Sequence, residues 1–285
     1  MIEEFVSAAG STALVSRAKR YLRGLTDPIR YRLRVHFQPR QNHIYTQFCR
    51  FPSQCEVLVE HILPRLWEKR SATQGPLEIA VFACCSGEEA YTLAYVLATR
   101  APGLPFRIRG YDIVPEVIEQ ARLGSYPREH VHSGPFVTDA FVAGLFDTRG
   151  DTRTVKSQFA SLVSFELGDM TDSAFMDRLP RSDLVFAQNV LFHLPRPVAK
   201  RAFVNLVSLL SSGGALFVNG MDTDMRAKLT RQYGLEPVTQ RIAEIHEDAR
   251  SDRGANWADS YWGREPLKMS GDWVRKYCTI YSKKS

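Results

Sequence analysis

The sequence predicts an α/β fold: a doubly wound, mostly parallel sheet with helices on both faces, preceded by a short helical N-terminal segment and carrying a small β-subdomain as an insertion. Three observations carry that expectation. From Leu77 onward, short apolar runs alternate with stretches whose apolar residues recur at three- and four-residue spacing, as strands feeding crossover helices do. Five such strand-to-helix units follow one another, enough for an open sheet covered on both sides. The composition is that of an ordinary globular chain, with 44% hydrophobic and 24% charged residues over 285 positions and a mean hydropathy of -0.23, which excludes collagen-like, low-complexity and membrane-bundle classes.

Each element follows in order. LEIAVFA (77–83) reads as a buried strand and GEEAYTLAYVLATR (87–100) as its helix. FRIRGYD (106–112) is the second strand, followed by a short helix after Pro115. LVSFELGD (162–169) and SDLVFAQN (182–189) are strands three and four, PVAKRAFVNLVSLL (197–210) is a helix, and GGALFVNG (213–220) is strand five. The stretch Gly124–Ser161 is too long for a simple connection. Its apolar segment FVAGLF (141–146) and turn signal DTRGD (147–151) predict a small hairpin-like subdomain at about 124–161. GLEPVTQ (234–240) and YCTIYS (277–282) read as two last strands, with a Trp-rich insertion at about 241–276 between them.

Residues 1–45 read differently, as a short basic segment ahead of the 46–285 domain, with one or two short helices over 1–36. Between Arg17 and Arg40, Arg17, Lys19, Arg20, Arg23, Arg30, Arg32, Arg34 and Arg40 stand against one acid, Asp27. The stretch is either a solvated face or the place for an acidic partner, and no interleaved aromatic platform suggests nucleic acid. The net charge of +6 permits an acidic substrate without identifying one. No run approaches the ~18 apolar residues of a membrane span, and Met1–Val15 lacks the basic start and long apolar core of a secretory signal, so a cytoplasmic protein without membrane insertion is expected. Five cysteines without a CxxC pair disfavour both a disulfide framework and a zinc site, and leave Cys84 and Cys85 as small packing residues.

In an open α/β sheet the ligand sits beyond the carboxyl ends of the strands, nearest the first strand-to-helix turn. Here that turn is Ala83-Cys84-Cys85-Ser86-Gly87. It is neither GxGxxG nor GxxxxGK, and the glutamates Glu88 and Glu89 behind it would repel a phosphate while suiting a cation. Asp112 ends strand two, where an acid can take both hydroxyls of a ribose or cap the next helix. Asp169 and Met170 end strand three, where they could hold an adenine edge and face, and Asn189 and Val190 end strand four. Four loops thus place polar groups on one rim, and a ribose- and adenine-binding site without a phosphate cradle points to S-adenosylmethionine, whose sulfonium is the cation.

The residues also resemble a known family, the CheR-type chemoreceptor glutamate methyltransferases. The family pattern Thr-x-Phe-Phe-Arg is similar to Thr46-Gln47-Phe48-Cys49-Arg50, and its Ser-Thr-Gly-Glu-Glu-x-Tyr-Ser turn to Cys85-Ser86-Gly87-Glu88-Glu89-Ala90-Tyr91-Thr92. Its Ala-Arg-x-Gly-x-Tyr resembles Ala121-Arg122-Leu123-Gly124-Ser125-Tyr126, and its Arg-Asn-Val-Leu-Ile-Tyr-Phe resembles Gln188-Asn189-Val190-Leu191-Phe192-His193-Leu194. The likeness covers roughly 40–220. It implies a Rossmann-like class I methyltransferase sheet, with Thr46 and Arg50 at the methionyl end of the cofactor, Glu88, Gly87 and the Ala83 backbone nearby, Asp112 on the ribose, and Asp169, Met170, Asn189 and Val190 along the adenosine. It also implies that the 124–161 insertion grips a protein acceptor.

The departures from the family pattern shape the expected chemistry. Gln188 stands where the family has arginine and His193 where it has tyrosine. Arg50 and His193 are the catalytic candidates; His193 is either a general base or a residue packed under the strand-four loop. A carboxylate acceptor arrives ionised and needs positioning more than a base. The expected reaction is therefore O-methylation of a carboxylate, in a protein glutamate or a related acid. Methylation of a small molecule at oxygen or nitrogen is the alternative, and a catalytically weak cofactor-binding regulatory module the second. A nucleic-acid methyltransferase is disfavoured by the lack of an Asn-Pro-Pro-aromatic motif. Glu244, His246 and Asp248 alternate without a further ligand, so no metal is expected, and Trp257, Tyr261 and Trp262 form either a lid or the packing of their own insertion.

Overall fold

Along β1 (Leu77–Phe82), successive side chains leave opposite faces of the sheet: Leu77, Ile79 and Val81 enter one buried cluster, Ala80 and Phe82 another. β7 (Ser182–Ala187) divides its residues the same way, Leu184 and Phe186 against Val185 and Ala187. Both faces are buried, which is why these strands read as unbroken apolar runs. The computed structural model describes residues 46–68, 75–251, 267, 269 and 271–284. The basic segment 1–45 and the Trp257, Tyr261 and Trp262 cluster lie outside the described residues.

The seven-stranded sheet has the order β6-β2-β1-β7-β8-β10-β9, where β2 is Phe106–Asp112, β6 Val163–Leu167, β8 Leu210–Val218, β9 Leu235–Pro237 and β10 Ile280–Lys283. The pairs from β6 to β8 are parallel, and β10 runs antiparallel to both β8 and β9. The chain moves outward from β1 to β2 and β6, then crosses back to β7. That reversal puts a crevice at the carboxyl ends of β1 and β7.

One face carries α1 (Pro52–Val57), a π-helical turn (Leu58–Ile62), α2 (Leu63–Glu68) and α3 (Glu88–Arg100), packed through Val57, Leu58, Ile62, Leu93 and Leu97. The other carries α8 (Ser173–Asp177), α9 (Arg196–Leu209) and α10 (Thr223–Gln232), packed through Met176, Phe203, Leu206 and Leu229. Burying a side chain such as Phe203 contributes roughly 1.5–3 kcal/mol. Between β2 and β6, after α4 (Pro115–Leu123), the insertion forms a three-stranded antiparallel sheet of order β3-β5-β4: β3 (Ser125–Pro127), β4 (Phe146–Arg149) and β5 (Thr152–Val155). Its short helices are α5 (Arg128–Val131), α6 (Asp139–Leu145) and α7 (Ser157–Ala160). The run FVAGLF is mostly α6, capped by Thr138 Oγ1 accepting from Phe141 N.

Two expectations are corrected near the end of the chain. YCTIYS is strand only from Ile280, because Tyr277 closes α12 (Trp273–Tyr277), and GLEPVTQ is strand only over Leu235–Pro237. Glu244, His246 and Asp248 lie on α11 (Ile242–Ser251), where His246 is buried edge-on against Tyr277 and Asp248 accepts from Ser53 N at 2.8 Å.

Candidate active site

A cavity opens at the crevice between β1 and β7, and its wall gathers the expected residues from five separate stretches of chain. Thr46 and Arg50 come from the segment before α1, Ala83 and Cys85 from the first turn, and Asp112 from the end of β2. Asp169 and Met170 follow β6, while Asn189, Val190 and His193 follow β7. These expected residues, scattered over about 150 positions, meet in one place.

The first turn owes its shape to backbone geometry. Ala83 and Cys85 have φ of 53° and 49°, and Gly87 has 95°. Positive φ costs a non-glycine residue roughly 1 kcal/mol or more and persists only where the surroundings enforce it. Cys85 N donates to Asp112 Oδ2 at 3.0 Å, and Val114 N donates to Oδ1 at 3.1 Å. Asp112 therefore ties the first loop to the second while lining the cavity, and the helix after Pro115 starts from Val114 without a side-chain cap bond.

The third and fourth loops are fixed in similar ways. Asp169 Oδ1 accepts from both the N–H and the hydroxyl of Thr171 at 2.8 Å, and Asn205 of α9 donates to Met170 O at 2.8 Å. Asn189, at φ 50°, donates its N–H to Asn219 O, and Phe192 N donates to Gly220 O at 2.8 Å. Gly220 must be glycine: its φ is 64°, and a Cβ there would stand 2.5 Å from Asn189 Cα. His193 ends a short 3-10 turn, half-buried, with its ring 4.0 Å from that of Phe192.

Two expected residues face elsewhere. Glu88 is wholly buried and does not line the cavity, and Gly87 packs toward Phe165 and Ala121. Consecutive helix residues diverge by about 100°, so one glutamate of the pair is turned away from the crevice. Glu89 takes the place expected of Glu88, sharing a helix face with Thr92 and Leu93, which also line the cavity. Burial raises its carboxyl to about 7, and the Arg50 charge opposes that rise. The cavity thus holds an acid and a cation within electrostatic reach of each other. Burial also pushes the Cys85 thiol up and that of Cys55 to about 12, so neither is a ready nucleophile.

Sequence reasoning missed the contribution of α1. Gln54, Cys55 and Leu58 line the cavity, and Gln188 donates to Gln54 Oε1 while Gln54 Nε2 donates to Thr279 Oγ1 at 2.8 Å. This buried relay joins α1, the end of β7 and the start of β10. The π-helical turn directly after α1 was the signal only a structure could supply, since such turns concentrate near functional sites.

The model of the CheR methyltransferase SAM-binding domain matches residues 45–241. A probable biofilm formation methyltransferase, WspC of Pseudomonas putida, is 28% identical over 210 residues, covering 72% of this chain and 47% of that protein. A chemotaxis protein methyltransferase of Listeria innocua is 25% identical over 175 residues, covering 61% of this chain and 63% of that protein. The chain thus spans about half the length of the first relative and under two thirds of the second. Among solved structures, the magnesium protoporphyrin IX methyltransferase of Synechocystis is 15% identical with a TM-score of 0.36, over 73% of this chain and 80% of that one.

Proposed function

Since the chain belongs to the CheR methyltransferase family, its residues 45–241 forming the SAM-binding domain, we propose that it transfers a methyl group from S-adenosylmethionine to a carboxylate, in a protein glutamate or a related acid. The observation that carries this reading is the meeting of Asp112, Glu89 and Arg50 on one cavity wall at the sheet's switch point. When bound, S-adenosylmethionine supplies an electrophilic methyl on a sulfonium. The remaining work belongs to the chain's own groups.

Asp112 would accept from the ribose hydroxyls, and Asp169 with Met170 would hold the adenine. The donor set fits a zwitterionic methionyl end: Glu89 would meet the ammonium, and Arg50 would meet either the methionyl carboxylate or the acceptor. A carboxylate acceptor is already ionised near pH 7, so these groups orient and desolvate it without removing a proton. Among the relatives, one named a chemotaxis protein methyltransferase and one a probable biofilm formation methyltransferase support a protein acceptor. Among the described residues no helix is long and apolar enough to cross a membrane.

The test is the chemistry of the product. Methyl label transferred to an acidic protein acceptor should leave as methanol in mild base, and His193→Gln should keep a rate that is flat between about pH 6 and 8. Base-stable label, together with a ~10²–10⁴-fold loss in His193→Gln, would replace the ester by an oxygen or nitrogen methylated with His193 as base. Cofactor binding without turnover on any acceptor would favour a regulatory module.

A further inference from the structure

Glu88, turned away from the cavity, is held from a second direction. A wholly buried carboxylate needs hydrogen-bonded partners and a compensating charge. Its Oε1 accepts from Ser86 Oγ at 2.6 Å and lies 2.7 Å from Nε2 of His130, which sits on α5 of the inserted small sheet. Tyr126 of β3 stacks on the His130 ring, centroids 5.7 Å apart and planes 12° from parallel, and donates its hydroxyl to Ser86 O at 2.5 Å. Phe48, buried between the two segments, meets both rings edge-on. Two side chains of the insertion therefore grip Ser86 and Glu88, beside the positive-φ residues Ala83 and Cys85 that shape the cavity.

The charges around the pair leave His130 as the partner of Glu88. Tyr91 of α3, Tyr126 of β3, and Cys84 and Cys85 of the turn all have raised pKa values through burial and stay neutral. Phe48 brings no charge, and Arg128 and Glu129 on the histidine's own helix are exposed. The hydrogen bond to Glu88 raises the His130 pKa above its ordinary value, against partial desolvation.

We propose that His130 is a positioning residue for cofactor binding: from the small sheet it holds Glu88, and through Glu88 the turn Ala83–Gly87, in the shape that receives the cofactor. The inserted sheet and the cofactor turn then move as one unit. This rests on the reading of the cavity as the cofactor site. A raised histidine pKa means that the imidazolium contact is complete below the ordinary value and lost as pH rises through the raised one. Cofactor affinity accordingly falls on the alkaline side.

The experiment is calorimetric titration of S-adenosylhomocysteine into the full chain and four variants: Asp112→Asn, Glu88→Gln, His130→Gln and His130→Lys. His130→Gln, which keeps a donor but loses the charge, should weaken binding about tenfold at pH 7. His130→Lys should recover affinity to within about threefold, and should hold it from about pH 7 to 8.5 while the wild type declines. Adding His130→Gln to Glu88→Gln should cost nothing further. Unchanged affinity in His130→Gln, or a loss that lysine does not restore and pH does not modulate, overturns the proposal while leaving Asp112→Asn weakened. If Asp112→Asn also binds normally, the cavity reading falls and the proposal with it.

Discussion

Glu89 holds a proton in the folded, ligand-free protein up to about pH 7, because burial outweighs the pull of Arg50. An unfolded glutamate releases its proton near pH 4.3. Between these values the folded state binds more protons than the unfolded one, so stability falls as pH rises through the window. A bound ammonium reverses the balance by rewarding the ionised form. Cofactor affinity should therefore drop as pH is lowered from about 6.5 to 5.5, where the His130 contact is complete, whereas Glu89→Gln should bind at least about tenfold more weakly with no such slope. Calorimetry across that range checks both arms. At this scale the sequence was informative yet off by one position: it marked the glutamate pair behind the first turn but assigned the cavity to Glu88. The spacing of Glu89 with Thr92 and Leu93, three and four residues on, held the answer. Which of two helix faces meets the crevice depends on how α3 docks, and both faces of α3 carry buried residues.

Element by element, the strands that lie inside the sheet were legible, since burial on two faces writes an apolar run. β9 and β10 were blurred because short strands beside a helix end carry fewer residues of pattern, and Tyr277 is apolar whether it ends α12 or starts a strand. The contribution of α1 was hidden for another reason. Gln54 and Gln188 are 134 residues apart in sequence, and nothing in a local pattern predicts that two amides will meet. The loops after β7 and β8 depend on one another through Gly220, whose missing Cβ lets the chain pass Asn189. Gly220→Ala meets both positive φ and a backbone contact, and should destabilise the fold by more than about 2 kcal/mol. Because Asn189 lines the cavity, cofactor affinity should fall as well, measured by thermal unfolding and titration of the same sample. A variant of normal stability and affinity would show that the two loops tolerate separation.

At the scale of the molecule, the described residues form two apolar clusters, one on each face of the sheet, and the cavity sits at the rim where loops from both sides converge. A ligand there braces the sheet's carboxyl edge and is linked to global unfolding by mass action. S-adenosylhomocysteine at 100 times its dissociation constant should add about 2.7 kcal/mol, and raise the melting temperature by about 5–10 °C for a chain of this size. NAD at the same concentration should leave it unchanged, since the first turn offers no phosphate cradle. The position of β10 adds a constraint in time. It lies between β8 and β9, although β9 ends at Pro237 and β10 begins only at Ile280. On the ribosome, β9 must wait for some forty further residues before it has a neighbour, at roughly 5–20 residues per second. Thr279, the acceptor for Gln54, arrives in the same late stretch. The far end of the sheet and the bracing of α1 are thus completed together, so a nascent chain halted before this point would expose an unpaired edge to chaperones and proteases rather than accumulate as a half-built enzyme.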